Sequence, residues 1–261
     1  VNRLKAVLQE VRELAGEVRG QREEGPAGPV LVTGMLAEQL ARQLSDGASP
    51  GAVVAGDRTA LERASVLVHV IAGELTPADD ELVRAAERVA VPVVLVQIWP
   101  QEDWTPPFVR TAFVVECQPG AGFPMPEIAA RIVEAVDVPI GLATRVPVLA
   151  DLTARSVIWS AVVRSGLLAA GFARGRGARP LITLEQVAMV ATLRDLQGRA
   201  SESPDQKLLA GTAAGVAGTG FLLREAARLS RHVLPRPVAD AVVAGAATWL
   251  IGAGVRRLGS R

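Results

Sequence analysis

A chain of 261 residues, nearly half of them apolar, is long enough to bury one large core or two small ones. Its single cysteine, Cys117, excludes a disulfide framework within the chain and points to a reducing compartment. The formal charge of +1 hides an asymmetry: residues 1–150 hold 13 basic and 20 acidic side chains, and residues 151–261 hold 15 and 7. An acidic half joined to a basic, alanine-rich half suggests two domains with different partners.

Residues 3–19 predict a helix, capped by Asn2, with Leu4, Val7, Leu8, Val11, Leu14 and Val18 on one stripe and Gly20 as its stop. This stretch is too charged for the apolar core of a secretory signal. Residues 21–29 read as a polar Gly/Pro linker. Strand 30–33 then runs through Gly34 into a helix over 36–44. A turn-rich loop, a short strand over 52–55 and a short helix over 57–64 follow.

Residues 66–72 and 91–98 are apolar runs, the first interrupted only by His69. Strands apolar on both faces belong to a parallel sheet covered by helices. Between them Thr76 can cap a helix with Pro77 in its first position and Asp79, Asp80 and Glu81 in its first turn. Leu82, Val83, Ala86 and Val89 give that helix its apolar face. After a loop edged by Trp99 and Trp104, residues 112–117 form the last strand and 126–136 a helix with Glu127 in its first turn. Alternation of about five strands with helices argues for a doubly wound α/β sheet. Beyond Pro147 the pattern is helical throughout, over 148–172, 183–197, 206–230 and 236–258. Thr183 and Gln186 have the spacing of a capping box, with Gly198 as the stop.

Catalytic motifs are missing. A phosphate-binding loop after the first strand needs glycines, a Lys and a Ser or Thr. Here Gly34 and Met35 lead straight into the helix, and only the helix N-terminus remains as an anion site. Gly215, Gly218 and Gly220 lie in an alanine-rich helical stretch, where they serve packing. His69 and His232 have no Cys or carboxylate at metal-ligand spacing. His69 is expected to be a satisfied core histidine, Cys117 a packed thiol, and Asp79 and Asp80 first-turn acids rather than a catalytic pair. No G-x-S-x-G or H-E-x-x-H occurs.

The stretch LVHVIAGELTPADDELVRAAERVAVPVVLVQ resembles the third strand, following helix and fourth strand of the Era-like (TrmE-Era-EngA-septin-like) GTPase domain, in degenerate form. Where that family carries its Asn-Lys-x-Asp guanine-reading motif, this chain has Gln97, Ile98, Trp99 and Pro100. Gly56 and Asp57 stand as a scrambled remnant of the loop that senses the third phosphate. RPLITLEQVAMVATLRDLQG, residues 179–198, is similar to the Leu-x-x-x-Gln-x-x-Met helix of the YcjF-like helical domain of unknown function. FLLREAARLSRHVLP and VVAGAATWLIGAGV match its closing helices in pattern.

These resemblances imply a degenerate P-loop, GTPase-like α/β domain at 30–140, after an N-terminal helix and linker at 1–29. An all-α, YcjF-like domain at 141–261 completes the chain. They imply a non-catalytic adaptor or scaffold, a pseudo-GTPase with no cofactor. Its partner would be an intact GTPase, or a second copy of itself in a homo-oligomer, and its helical domain would dock on a membrane or a partner. Arg174, Arg176, Arg179, Leu222, Leu223 and Trp249 are the candidate docking residues. The expected location is cytoplasmic, with peripheral association at the inner membrane. Leu208–Leu223 and Ala241–Val255 are uncharged runs of 16 and 15 residues. As helices they reach about 24 Å, short of the roughly 30 Å hydrocarbon core, so a soluble bundle, peripheral insertion and true spanning all stay open. Nucleic acid is disfavoured, because the arginines are dispersed and stacking aromatics are scarce. The alternatives are an NTPase or other enzyme using an unrecognised site, and a soluble structural protein that oligomerises through Gly211 and Gly215.

Overall fold

A computed structural model describes residues 28–100, 113–136, 139–171, 178–198 and 235–259. They divide into two compact units, with the division between Thr153 and Ala154. The expected helices over 3–19 and 206–230 and most of the loop after Trp99 lie outside the described residues.

The first unit is built on five parallel strands: β1 Val30–Gly34, β2 Val53–Ala55, β3 Val66–Ala72, β4 Val93–Ile98 and β5 Val114–Cys117. Their order is β2-β1-β3-β4-β5. Val30, Leu31, Val32, Val66, Leu67, Val68, Val94, Leu95 and Val96 are fully buried. Burial of consecutive residues means both faces are covered, which is why these strands carry apolar runs rather than alternation. The helices are α1 Ala37–Leu44, α2 Pro77–Arg88, α3 Met125–Ala135 and the short α4 Pro139–Ala143, with a 3₁₀ turn at Arg58–Arg63. Leu61 of the 3₁₀ turn and Ala85 and Ala86 of α2 pack with Leu31 and Leu67 of the sheet. α1 packs on β1 and β2, and α3 on β3, β4 and β5.

α2 starts as its sequence requires. Thr76 Oγ1 accepts from Asp79 N, and the Asp79 carboxylate accepts in return from Thr76 N, a capping box with Pro77 in the first position. Its far end differs from expectation. The helix stops at Arg88, so Val89 is its C-cap and points to solvent, while Ala85 takes the buried place. The element expected over 57–64 is a 3₁₀ turn, with Asp57 Oδ1 accepting from Thr59 N at 2.9 Å and from Thr59 Oγ1 at 2.6 Å. The α4 turn was not visible in the sequence, because five residues cannot display a helical period.

The second unit contains most of α5 Pro147–Gly171, with α6 Ala178–Leu196 and α7 Arg236–Gly259. Its core holds Ala154, Ile158 and Ala161 of α5 with Met189 and Leu193 of α6. α6 begins five residues before the expected position, which leaves Thr183 inside the helix and not at a cap. The reason is Pro180, which lies in the first turn, where a missing N–H costs no helical bond. Gln186, the other half of the expected box, instead donates from Nε2 to Thr248 Oγ1 of α7 at 3.1 Å. Gly198, at φ +71°, follows the helix end as a left-handed stop.

Candidate functional site

In a doubly wound sheet the connections leaving neighbouring strands diverge where the strand order reverses, and a crevice opens at the carboxyl ends there. Here that place lies between β1 and β3. The sheet's buried polar side chains gather at the same end. They are Thr33 on β1, His69 on β3 and Gln97 on β4, each at most 3% exposed. Thr33 and His69 are register partners, and His69 pairs with Leu95, two residues before Gln97. Alternation along the strands therefore puts all three on one face of the sheet.

His69 links three elements. Its Nδ1 lies 2.7 Å from Thr33 Oγ1, and its Nε2 lies 2.8 Å from Asp79 Oδ1 in the first turn of α2. The Asp79 carboxylate only accepts, so Nε2 carries the proton. In the neutral ring Nδ1 then accepts from the Thr33 hydroxyl. The other carboxylate oxygen, Oδ2, accepts from Thr76 N at 2.9 Å and Thr76 Oγ1 at 2.7 Å. Partial burial works to raise the Asp79 pKa. It is outweighed by the bonds from the Thr76 hydroxyl and backbone and from His69, and the group stays below its ordinary value.

The chain Thr33–His69–Asp79 has the connectivity of a hydroxyl–imidazole–carboxylate relay. Thr33 is buried, so its hydroxyl is not presented to a substrate. What the arrangement does in this structure is fasten α2 to β1 and β3 with every polar atom partnered.

The rest of the mouth is closed in the same way. Gly34 has φ +89°, and a Cβ there would strike the Val70 carbonyl oxygen. This close approach lets Met35 N donate to Val70 O at 3.0 Å. Leu36, at φ +56°, then enters α1 as an N-cap without a side-chain bond. On the other side Gly73 N donates to Ile98 O at 2.9 Å, and Gln97 Nε2 donates to Gly73 O at 2.8 Å. Trp99 follows with φ +58° and is exposed. Left-handed backbone is unfavourable for side chains of this size, and Leu36 and Trp99 both adopt it at the carboxyl edge of the sheet.

Asp57 is held below its ordinary pKa, first by the Thr59 hydroxyl and then by the Thr59 N–H, so it is committed to its own turn. Cys117 is a buried free thiol, raised above its ordinary pKa by burial and next by the charge of Glu127. Among the described residues no three His, Cys, Asp or Glu side chains converge to hold a metal.

Of the docking residues expected from sequence, Arg174, Arg176, Leu222 and Leu223 lie outside the described residues. Arg179 is the second residue of α6, and Trp249 is an exposed residue of α7. Sequence reading missed Trp159, Val163 and Leu167 of α5, all exposed. Their spacing of four was visible, but the opposite face of α5 is apolar too, so no contrast marked them. Among the described residues one helix, Pro237–Arg257 within α7, is long and apolar enough to cross a membrane by length and composition.

No family model, no curated protein and no solved structure matches the chain.

Proposed function

We propose that this protein is a non-catalytic adaptor: a pseudo-GTPase-like α/β unit, resembling an Era-like domain without its nucleotide site, joined to a YcjF-like helical unit that docks on a membrane or a partner. One observation carries the reading. At the carboxyl edge of the sheet, between β1, β3 and β4, the polar groups bond to one another. Met35 N is taken by Val70 O, Gln97 by Gly73 O, and His69 by Thr33 and Asp79. Two residues, Met35 and Leu36, join β1 to α1, too few to wrap a phosphate. Gln97 stands where the resemblance would put the guanine-reading Asn, and it turns its amide into the protein. The location that fits is cytoplasmic, with the helical unit peripheral at the inner membrane. An intact GTPase is the partner class that such an adaptor would serve.

The test is titration with fluorescent GTP and ATP analogues with magnesium. No saturation is expected up to about 1 mM, a free energy near 4 kcal/mol. Saturable binding below that would overturn the adaptor reading.

The Thr33–His69–Asp79 relay favours a second reading, an enzyme whose nucleophile is Thr33. It requires the covered hydroxyl to become accessible. Labelling of Thr33 by a fluorophosphonate, lost in His69→Gln, would establish it. We expect no labelling.

A further inference from the structure

We propose that α5 and α7 together present one lipid-contacting face, which lies in the plane of an anionic bilayer surface and does not span it. The proposal deepens the docking part of the adaptor reading and rests on it.

Three exposed apolar residues recur every fourth position on α5: Trp159 at 61%, Val163 at 55% and Leu167 at 67%. On α7 the exposed residues Val238 (47%), Val242 (58%) and Trp249 (47%) occupy one side of the helix. The two stripes are not independent. A Cβ on Gly252 would meet Ile158 Cγ1 at 2.7 Å, one on Gly245 would meet Val162 Cγ1 at 3.4 Å, and one on Gly166 would meet Ala241 O at 3.5 Å. Contacts that descend one helix as they climb the other make the pair antiparallel. In antiparallel right-handed helices, the residue following each contact position falls on the same side of the pair. Trp159, Val163 and Leu167 follow Ile158, Val162 and Gly166, and Val242 follows Ala241. Trp249 lies one turn from both Gly245 and Gly252, toward that side. The stripes therefore merge into one face, with both tryptophans toward the same end. Arg155 near the start of α5 and Arg256 and Arg257 near the end of α7 stand at that end as well.

A bilayer surface is the occupant this face fits. Tryptophan favours the headgroup level, where its ring is buried and its N–H stays wet. Residues 151–261 carry 15 basic against 7 acidic side chains, which draws the unit to anionic lipid. Spanning by α7 is opposed by its other side. Thr248 is buried and bonded to Gln186, Gln197 Nε2 donates to Val255 O at 3.3 Å, and Gly252 seats against Ile158. Withdrawing α7 into lipid would break these contacts and carry Asp240 inside the apolar stretch. An in-plane helix pair keeps them all and immerses only the exposed side.

The test uses the full chain and vesicles of phosphatidylcholine, with or without phosphatidylglycerol. The protein should float with anionic vesicles at low salt, float poorly with neutral ones, and be released by high salt, because exposed charges are screened beyond about 8 Å at physiological ionic strength. Val163→Gln with Leu167→Gln should lower partitioning about tenfold or more, since the apolar area entering lipid is lost, with the far-UV spectrum unchanged. In a Trp99→Phe, Trp104→Phe chain, lipids brominated near the headgroup should quench Trp159 and Trp249 more than lipids brominated near the chain end. Failure to float at low salt overturns the proposal, as does flotation indifferent to the double substitution. Extraction resistant to alkaline carbonate would show spanning and overturn the in-plane geometry. A concentration-dependent dimer, abolished by the same substitutions and without lipid binding, would assign the face to a second copy. The nucleotide titration decides the adaptor reading separately: a chain that binds GTP and still floats overturns that reading and leaves this one standing.

Discussion

Replacing Asp79 by Ala removes three bonds at one stroke. The carboxylate caps α2 through the Thr76 N–H and hydroxyl, and it holds the Nε2–H of His69. Loss of a cap of this kind costs about 1 kcal/mol. An unpartnered donor on a ring that is 2% exposed costs about 1–3 kcal/mol more. The Asp79 side chain is itself 22% exposed, so water can enter the space it leaves and partly satisfy Nε2. This places the loss toward the lower part of the range, about 2–3 kcal/mol. Asn at the same position behaves differently. Its oxygen can still accept from Thr76, while its NH₂ can face Nε2 if the imidazole takes the other tautomer and donates from Nδ1 to Thr33. Asp79→Asn should therefore cost about 1 kcal/mol. Amide hydrogen exchange across α2 reads the difference locally and avoids assigning one unfolding free energy to a chain of two units. At about 1.4 kcal/mol per factor of ten, α2 amides should exchange about 30- to 150-fold faster in the Ala variant and about fivefold faster in the Asn variant. An Ala variant within about twofold of the parent would show that His69 does not fasten α2. Equal damage from Asn and Ala would mean that the carboxylate charge, and not the bonding pattern, holds the site.

The remaining predictions concern pH, packing and reactivity. Asp79 has a folded pKa below its ordinary 3.8, so the stability it contributes is present above about pH 4 and lost as pH falls through the lowered value; acid unfolding of the α/β unit should lose part of its steepness in Asp79→Ala. Gly252→Val should destabilise the helical unit by about 1–3 kcal/mol through overpacking against Ile158, seen as faster exchange in α6 and α7 with the α/β unit unaffected. Cys117 is buried with a raised pKa, so iodoacetamide at neutral pH should alkylate it at least about tenfold more slowly in the native chain than in urea; an equal rate would contradict its place in β5.

The strand–helix alternation, the parallel sheet and the α2 cap were legible because each rests on near neighbours in the chain. An apolar run marks a strand covered on both sides, and Thr76, Pro77 and Asp79 complete a capping box within four residues. The absence of a phosphate loop after β1 was equally plain, since such a loop is contiguous. The candidate site was not legible. Thr33 and His69 are 36 residues apart, and only the β1–β3 register makes them partners. Asp79 is ten residues from His69, and as a first-turn acid it already had a sufficient local reason to be there. The helical unit shows the same division. Composition identifies α5 and α7 as apolar helices, yet helices apolar on nearly every side do not declare which side is covered. Gly245 and Gly252 could have faced solvent or a partner. Tertiary packing set them against Val162 and Ile158, and by that choice left Trp159, Val163 and Leu167 outside.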